Sequence, residues 1–356
     1  MTSGEAKVPP MRPTELPSAT QSPRFSGIRT FMRLPWAAPP AADGSPISRD
    51  GLEEGASPPA EPSASPARRE AGAEVAILGI PFDTAASFRT GARFGPSAIR
   101  DISVLLRPSN QFHRINALET LRVVDRGDVA VVPGDIARTY VNVEAEWAAC
   151  AAAGIVPIGL GGDHSVTLGE LRGLAATRGT LALVQFDSHS DTWDNYWGVR
   201  YTHGTVFRRA CEEGLLDTAR SIQIGLRGSE YAPGDLDDTR RLGFEVLLAQ
   251  DLAPMSPAEV GAVIRRRVGA GPAFLSFDID FFDPAFAPGT GTPEAGGPTS
   301  AFGLQVLRQL AGIPFAGFDV VEVLPAHDPT AITSLLAATV VFEFLALVAL
   351  SKPAVR

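Results

Sequence analysis

The chain has 356 residues, of which 45% are hydrophobic, and a formal net charge of -9 at pH 7. This length and composition are sufficient for a large α/β domain with a sizeable core, and the acidic balance argues against a nucleic acid or an anionic membrane surface as a partner. The two cysteines, Cys150 and Cys211, have no CxxC spacing, which argues against a disulfide framework or a zinc-thiolate site. No secretory signal is predicted at the start, so we expect a cytoplasmic protein.

Residues 1–72 are rich in Pro, Ala, Ser and Glu, and a segment of this composition cannot offset its ordering entropy by burial. We therefore predict a mostly disordered tail at 1–72 and one folded domain at 73–356. An apolar stretch at 23–36, which includes Phe31 and Trp36, interrupts the tail. It is interpreted as an arm that packs on a neighbouring subunit, or else as a strand that packs on its own domain.

From Val75 onward, short apolar runs alternate with amphipathic stretches. This pattern predicts strands and helices in turn: strand 75–81, helix 96–106, strand 122–125, helix 137–153, strand 155–160, helix 165–178, a strand ending at 187, helix 204–214, strand 221–226, helix 256–268, a strand from 273 to about 280, helix 301–312, strand 315–323 and a helix from 332. The repeated order predicts a parallel sheet that is covered on both faces.

The last predicted helix, Ile332 to Leu350, is 19 residues long with Glu343 as its only charge. This is close to the length of a membrane span. However, the helix directly follows a predicted sheet strand, and its small residues, such as Ala337 and Ala346, suit packing on a sheet. A buried core or interface helix is therefore the preferred prediction.

Three of the predicted strands end in residue types that bind metal ions. They are followed by, or close with, GGDHS at 161–165, DSHSD at 187–191 and DID at 278–280. Side chains at every second position of a strand point the same way, and ligands of an open parallel sheet bind beyond the carboxyl ends of its strands. The candidate metal ligands are His164, Asp187, His189, Asp191, Asp278 and Asp280.

This mixture of imidazole and carboxylate suits Mn²⁺ or a similar divalent ion and contains too many carboxylates for a structural zinc. Six ligands, of which two can bridge, favour a pair of ions roughly 3.5–4 Å apart, an arrangement that generates hydroxide for hydrolysis. Each motif alone has a simpler explanation, because Asp-x-Asp is common at strand ends and GGDH can be a tight turn with a helix cap. The three motifs together predict a hydrolase.

The same residues carry a family resemblance. GGDHS at 161–165, DSHSD at 187–191, and SFDID at 276–280 with APGTGTP at 287–293 resemble the three signatures of the ureohydrolases, the arginase/agmatinase family. The resemblance extends from about Val75 to the C-terminus. It implies a three-layer α/β/α fold with a mostly parallel central sheet, two Mn²⁺ per chain with Ni²⁺ possible, hydrolysis of a guanidinium group to urea and an amine, and a homo-oligomer, either a trimer or a hexamer.

The resemblance also implies roles for individual residues. The ligand roles fall on the six candidates: His164 and Asp191 on one ion, His189 and Asp280 on the other, and Asp187 and Asp278 bridging. Asp191 would in addition orient the attacking hydroxide, whereas Asp163 has a supporting or turn role.

Two further residues match catalytic positions of the family. His203 matches a histidine that passes a proton to the leaving amine, a role that suits imidazole because its pKa lies near neutrality. Glu322 matches a carboxylate that holds the guanidinium, since a carboxylate pairs well with a planar cation. The simpler alternatives are a surface histidine and a helix-cap or surface acid.

The loop at 192–202 is rich in aromatic residues and is predicted to form a wall of the substrate pocket. Trp193 and Trp197 are the candidate wall residues, and Arg200 could pair with a substrate carboxylate or lie on the surface. The loop resembles agmatinases more than arginases, although His327 stands where agmatinases often carry tyrosine. The predicted substrates are agmatine, guanidinobutyrate or guanidinopropionate.

Three alternatives to this function stay open. One is a nickel-dependent hydrolase of free guanidine, and another is a deacetylase-like amide hydrolase with a single zinc. The third, from another class, is a non-catalytic scaffold that metal ions stabilise.

Overall fold

The computed structural model describes residues 29–37, 72–230, 232 and 234–351. The predicted disordered tail therefore lies almost entirely outside the described residues, as does the first part of the predicted arm, 23–28.

Eight parallel strands form the central sheet, and two short strands form a separate antiparallel ribbon. The strands are β1 Val75–Gly79, β2 Ser109–Asn110, β3 Ile115–Asn116, β4 Val123–Asp128, β5 Val156–Leu160, β6 Ala182–Phe186, β7 Ile222–Leu226, β8 Glu245–Leu248, β9 Ala273–Asp278 and β10 Phe315–Val321. The order across the sheet is β4-β1-β5-β10-β9-β6-β7-β8, and β2 pairs with β3. The predicted parallel sheet is confirmed.

The register of the four central strands brings their carboxyl ends level. Leu160 of β5 pairs with Val320 of β10, which pairs with Phe277 of β9, which in turn pairs with Phe186 of β6. The three ligand motifs and Glu322 begin within two residues of this row. Ligand motifs that are far apart in the sequence therefore meet at one edge of the sheet.

Helices cover both faces of the sheet. They are α1 Gly95–Ser103, α2 Ala117–Thr120, α3 Ile136–Ala152, α4 Thr167–Arg178, α5 Val206–Glu212, α6 Asp235–Arg241, α7 Ala249–Leu252, α8 Pro257–Val268, α9 Ser300–Arg308 and α10 Ile332–Leu350. Apolar residues of α3, α4 and α5 form the core on one face, and those of α1, α8, α9 and α10 form the core on the other. The architecture is the expected three-layer α/β/α arrangement.

Local sequence explains where a typical helix begins. Helix α8 starts at Pro257, whose fixed φ suits the first helical position. Ser256 caps it: its side chain accepts a hydrogen bond from the backbone N–H of Glu259, whose carboxylate accepts one from the Ser256 backbone N–H. The apolar residues Val260, Ile264 and Val268 then recur at helical spacing and are buried.

Helix α10 is long and apolar enough to cross a membrane, yet 72% of its apolar stretch is buried. Phe344 stacks on Phe318 of β10, with 4.7 Å between the ring centroids. The single charge, Glu343, is buried and accepts hydrogen bonds from Arg308 Nε at 2.8 Å and Asn110 Nδ2 at 2.9 Å. This packing is that of the predicted core helix.

The described part of the N-terminal arm, 29–37, packs on its own chain. Phe31 and Leu34 are buried in the core with α1, and the Phe31 backbone N–H donates to Asp125 Oδ2 at 2.7 Å. Trp36 forms a parallel bridge with Asp125 at the edge strand β4. Of the two interpretations of the arm, these contacts are those of a segment that packs on its own domain.

Candidate active site

The predicted metal ligands converge into two groups that share one carboxylate. His164 Nδ1 lies 3.1 Å from Asp187 Oδ2, 2.8 Å from Asp191 Oδ2 and 3.3 Å from Asp278 Oδ2. In the second group, His189 Nδ1 lies 3.0 Å from Asp280 Oδ2 and 3.6 Å from Asp187 Oδ1. The two oxygens of Asp187 thus face different histidines, which is the placement a bridging ligand needs.

Hydrogen bonds from neighbouring side-chain and backbone groups orient the carboxylates of Asp187 and Asp280. Asp187 accepts from Gln185 Nε2 at 2.7 Å and from the His189 backbone N–H at 2.7 Å. Asp280 Oδ1 accepts from the Ser188 hydroxyl at 2.6 Å and from its backbone N–H at 3.0 Å. Asp280 Oδ2 is thereby directed toward His189, whereas both oxygens of Asp187 accept one of these hydrogen bonds and each also faces a histidine.

The unsatisfied atoms of this cluster fit divalent cations. His164 Nδ1 and Asp280 Oδ2 are buried and have no hydrogen-bond partner, although buried polar groups normally have one. Burial and the nearby carboxylates of Asp280 and Asp187 raise the pKa of Asp278 well above its usual range. Four carboxylates this close together need positive charge between them, and a set of oxygen and imidazole ligands suits Mn²⁺, Ni²⁺ or similar ions.

Two of the site residues have an unusual backbone conformation. Asp191 has a φ of 51° and Glu322 a φ of 63°, which is uncommon for residues other than glycine. The Asp191 carbonyl accepts from the Phe207 N–H at 3.0 Å, and the Glu322 N–H donates to the Gly162 carbonyl at 2.9 Å. Such conformations concentrate at functional sites, where the surrounding structure holds them.

His203 and Glu322 form a buried pair beside the first ligand group. His203 Nδ1 lies 2.9 Å from Glu322 Oε1, and the same oxygen accepts from the His164 backbone N–H at 2.9 Å. Burial lowers the pKa of His203, but the hydrogen bond and charge of Glu322 outweigh it and raise this pKa to about 9. Both residues are at the predicted place, and neither is a surface group.

Asp163 supports the loop after β1 and is in neither ligand group. Its Oδ2 accepts from the Ala85 backbone N–H at 2.9 Å, and its Oδ1 accepts from the Ser165 N–H at 3.0 Å. Burial and the Glu322 charge raise the pKa of Asp163 to about 7. These contacts are those of the supporting or turn role that the sequence predicts.

A buried polar chain extends behind His164. Its Nε2 lies 2.8 Å from the Ser276 hydroxyl, which donates to Asp319 Oδ1 at 2.7 Å. Asp319 also accepts from the Thr167 hydroxyl at 2.6 Å. Glu170 lies beside Asp319 at the far end of this set of polar contacts, and burial and the charge of Asp319 raise its pKa well above the usual range. Sequence reasoning missed these residues; such partners orient a ligand histidine.

A cavity of about 1100 Å³ opens beside the ligand groups. His189, Asp191 and Asp278 line its inner part, together with His203. Trp193 and Trp197 line it as well, and Trp197 is 77% exposed at the mouth. The structure therefore brings the two predicted tryptophans to the cavity.

Two predicted substrate residues lie elsewhere, so those predictions need correction. Arg200 is outside the cavity lining, its side chain is 59% exposed, and its Nη2 pairs with Glu212 Oε2 at 2.6 Å on the surface. His327 ends a short 3-10 helix, Pro325–His327, and faces solvent. Neither residue lines the cavity, which sequence position alone does not reveal.

The loop after β1 supplies wall residues that sequence reasoning missed. Ser87, Phe88 and Arg89 line the cavity, and Ser87 Oγ lies 2.6 Å from His203 Nε2. Ser87 is 116 positions from His203 in the sequence, and the segment has no periodicity. No local signal could have found this contact.

The structure is a parallel α/β/α domain in which six candidate metal ligands converge at the ends of central strands. A buried histidine–glutamate pair lies beside them, and this arrangement is typical of metal-dependent hydrolases. Comparison with known proteins assigns the family. The family model described as Arginase family matches residues 73–347. The chain therefore belongs to the arginase family, as the ureohydrolase signatures predict.

Individual relatives agree with this assignment. The chain is 43% identical over 332 residues to a guanidinopropionase of Pseudomonas aeruginosa, covering 93% of this chain and 95% of the relative. It is 40% identical over 325 residues to a guanidinobutyrase of the same organism, covering 91% and 93%. The solved structure of proclavaminate amidino hydrolase from Streptomyces clavuligerus matches with a TM-score of 0.81 and 36% identity, covering 93% of this chain and 100% of that one.

Proposed function

We propose that the protein hydrolyses the guanidinium group of a short guanidino acid, such as guanidinopropionate or guanidinobutyrate, to urea and an amino acid. The observation that carries this proposal is an unused oxygen of Glu322. Glu322 Oε1 already accepts from His164 and His203, whereas Oε2 is buried without a hydrogen-bond partner. A substrate guanidinium supplies the charged N–H donors that such an oxygen requires.

Arg89 supports an acid rather than an amine at the other end of the substrate. It is half-buried in the cavity wall and forms no ion pair with any residue that the structure describes. Its contacts are a weak one, 3.5 Å from Nη1 to the Thr290 carbonyl, and the ring of Phe88, 5.4 Å from the guanidinium carbon. Arg227, the other arginine in the lining, donates to five backbone carbonyls.

The two ligand groups would hold two divalent ions, Mn²⁺ or Ni²⁺, which when bound supply an activated water for attack on the guanidinium carbon. Asp191, which lines the cavity beside the first group, would orient that water by accepting a hydrogen bond from it. Glu322 holds the guanidinium, and His203, whose pKa is about 9, carries a proton for the leaving amine near neutral pH.

The cavity volume favours this function over hydrolysis of free guanidine. A space of about 1100 Å³, slightly above the usual range for small-molecule pockets, accommodates an alkyl chain and a second charged group. The complete set of ligands, with His203 and Glu322 beside it, also argues against a non-catalytic scaffold.

The experiment is urea release from guanidinopropionate, guanidinobutyrate, agmatine, arginine and free guanidine, each measured with Mn²⁺ and with Ni²⁺. We expect the two guanidino acids to have the highest kcat/KM. A preference for agmatine or free guanidine would contradict the assignment of the acid, and the absence of urea from every compound would contradict the proposed function.

A further inference from the structure

Both ring nitrogens of His203 are engaged by protein atoms. Nδ1 faces Glu322 Oε1 at 2.9 Å. Nε2 lies 2.6 Å from the hydroxyl oxygen of Ser87 and accepts a hydrogen bond from the Ser87 backbone N–H at 3.0 Å. His203 therefore has no ring nitrogen left to contact a leaving amine directly. The hydroxyl of Ser87, which lines the cavity, is its neighbour on the substrate side.

The position of Ser87 is fixed by contacts on either side of the cavity wall. Two residues earlier, the Ala85 carbonyl accepts from the His203 backbone N–H at 3.1 Å. The Ala85 N–H donates to Asp163 Oδ2 at 2.9 Å, and Asp163 is fully buried. The loop that carries Ser87 is thus tied both to the histidine that Ser87 contacts and to the GGDHS turn. Ser87 is half-buried in the cavity wall, on a loop that the Ala85 contacts hold against His203 and Asp163.

We propose that Ser87 is a catalytic residue of this reaction, whose hydroxyl relays a proton from His203 Nε2 to the leaving amine. This inference rests on the proposed guanidino hydrolysis. In the step, the Nε2–H proton moves to Ser87 Oγ while the Ser87 hydroxyl proton moves to the nitrogen of the breaking C–N bond. The bonding electrons of that C–N bond become the lone pair that takes the proton. The proton originates from the attacking water, so no further reactant is needed.

Ser87 can serve both protonation states of the histidine. When Nε2 carries a proton, it donates to the Ser87 hydroxyl oxygen, which is a hydrogen-bond acceptor. After transfer, the bare Nε2 accepts from the Ser87 backbone N–H, as in the 3.0 Å contact. The charged groups that face His203 are Glu322, Asp191 and Asp163. They favour its protonated form before transfer.

The test uses Ser87→Ala, Ser87→Thr and Ser87→Cys in the full-length metal-loaded protein, with Ser97→Ala as a matched control. Ser97 is an exposed serine of α1 outside the cavity lining, and its hydroxyl donates to the Phe94 carbonyl at 3.0 Å. The alanine variant keeps the backbone N–H and loses the hydroxyl. We expect its kcat for the best guanidino substrate to fall by about 100-fold, the lower end of the usual general-acid contribution, with KM nearly unchanged. Threonine should restore the rate, and the Ser97 variant should match the wild type.

The pH dependence separates a relay from a merely structural role. Loss of the hydroxyl removes the acceptor of the protonated Nε2, so the pKa of His203 should fall. The alkaline limb of kcat should therefore move to lower pH in Ser87→Ala and Ser87→Cys and return in Ser87→Thr. Nitrogen NMR of the histidine rings, with diamagnetic Zn²⁺ as the probe metal, reports the same pKa without any need for turnover.

The possible results separate the proton relay through Ser87 from the proposed guanidino hydrolysis. If the wild type releases urea and the alanine variant keeps full kcat with the same alkaline limb, the relay is wrong and the proposed function stands. If activity falls together with bound metal or Tm in both the alanine and cysteine variants, Ser87 is structural and the relay is again wrong. If the wild type releases no urea while NMR shows the His203 shift, the proposed function fails and only the hydrogen-bond coupling of Ser87 to His203 remains.

Discussion

Replacing Glu322 by Gln keeps the size of the side chain and removes its negative charge. The amide oxygen can still accept from the backbone N–H of His164 and from His203, the two donors that now meet Oε1. The amide nitrogen would take the place of Oε2, the oxygen without a partner. Because an amide nitrogen is itself a donor, it repels the N–H groups of a substrate guanidinium.

The expected loss follows from one charge-assisted hydrogen bond. Such a bond contributes about 1.5–3 kcal/mol, and about 1.4 kcal/mol corresponds to a factor of ten. We therefore expect kcat/KM for the preferred guanidino acid to fall by roughly 10- to 150-fold. The assay is urea release at saturating Mn²⁺, with bound metal measured for each variant. Glu230→Gln, an exposed acid at the cavity mouth, is the matched control.

A Glu322→Gln variant that keeps kcat/KM within about threefold of the wild type, with its metal content unchanged, would contradict this role of Glu322. In that case Glu322 would not bind the guanidinium, and its contact with His203 would be only structural.

Three further predictions follow from the same geometry. Arg89→Gln should raise KM for guanidinobutyrate by about tenfold or more and leave KM for agmatine unchanged. The control, Arg200→Gln, should change KM for neither substrate. Equal effects of Arg89→Gln on both substrates would contradict a contact between Arg89 and the substrate carboxylate. Asp278→Ala should lose metal, measured by elemental analysis, together with urea release, and a variant that retains both would remove its bridging role. Glu170 has its pKa raised by burial and by Asp319, so the folded state holds a proton that the unfolded state releases above about pH 4.5. The Tm difference between Glu170→Gln and the wild type should therefore increase with pH above that value, and a constant difference would show that Glu170 is ionised in the folded protein.

The convergence of the candidate metal ligands could be predicted from sequence because the ends of parallel strands meet at one edge of the sheet. The alternation of side chains along a strand does not explain it, since Asp187, His189 and Asp191 follow the end of β6. In Asp187, His189 and Asp191, three ligands follow a buried run at every second position, and parallel strand order alone places such motifs at one sheet edge. The two histidines and the shared Asp187 lie where this argument puts them. The burial of the long helix α10 can also be predicted from the sequence, because its small residues suit packing on a sheet and a strand directly precedes it.

Other parts of the fold carry weaker local signals. Strand β8, Glu245–Leu248, was not predicted: it is a half-buried edge strand, so neither a continuous apolar run nor a clean alternation marks it. The antiparallel ribbon β2–β3 has two residues per strand, which is too short for any period. Helix α6 is mostly exposed and charged, so it lacks an apolar stripe.

The substrate side of the site was the least predictable, because it depends on loops. The loop at 192–202 has Trp197 at a φ of 52°, and the chain turns there, so Trp193 and Trp197 reach the cavity while Arg200 pairs with Glu212. The contact between Ser87 and His203 joins two loops that are distant in the sequence. Only the assembled sheet brings them together.

We propose that two bound ions act with the His203–Glu322 pair in hydrolysis of a guanidino compound. Urea release from guanidinobutyrate can be followed as metal-free protein is titrated with Mn²⁺ and plotted against ions bound per chain. We expect activity to rise to a plateau at about two ions per chain. A plateau at one ion, or urea release that persists after complete removal of metal, would contradict it.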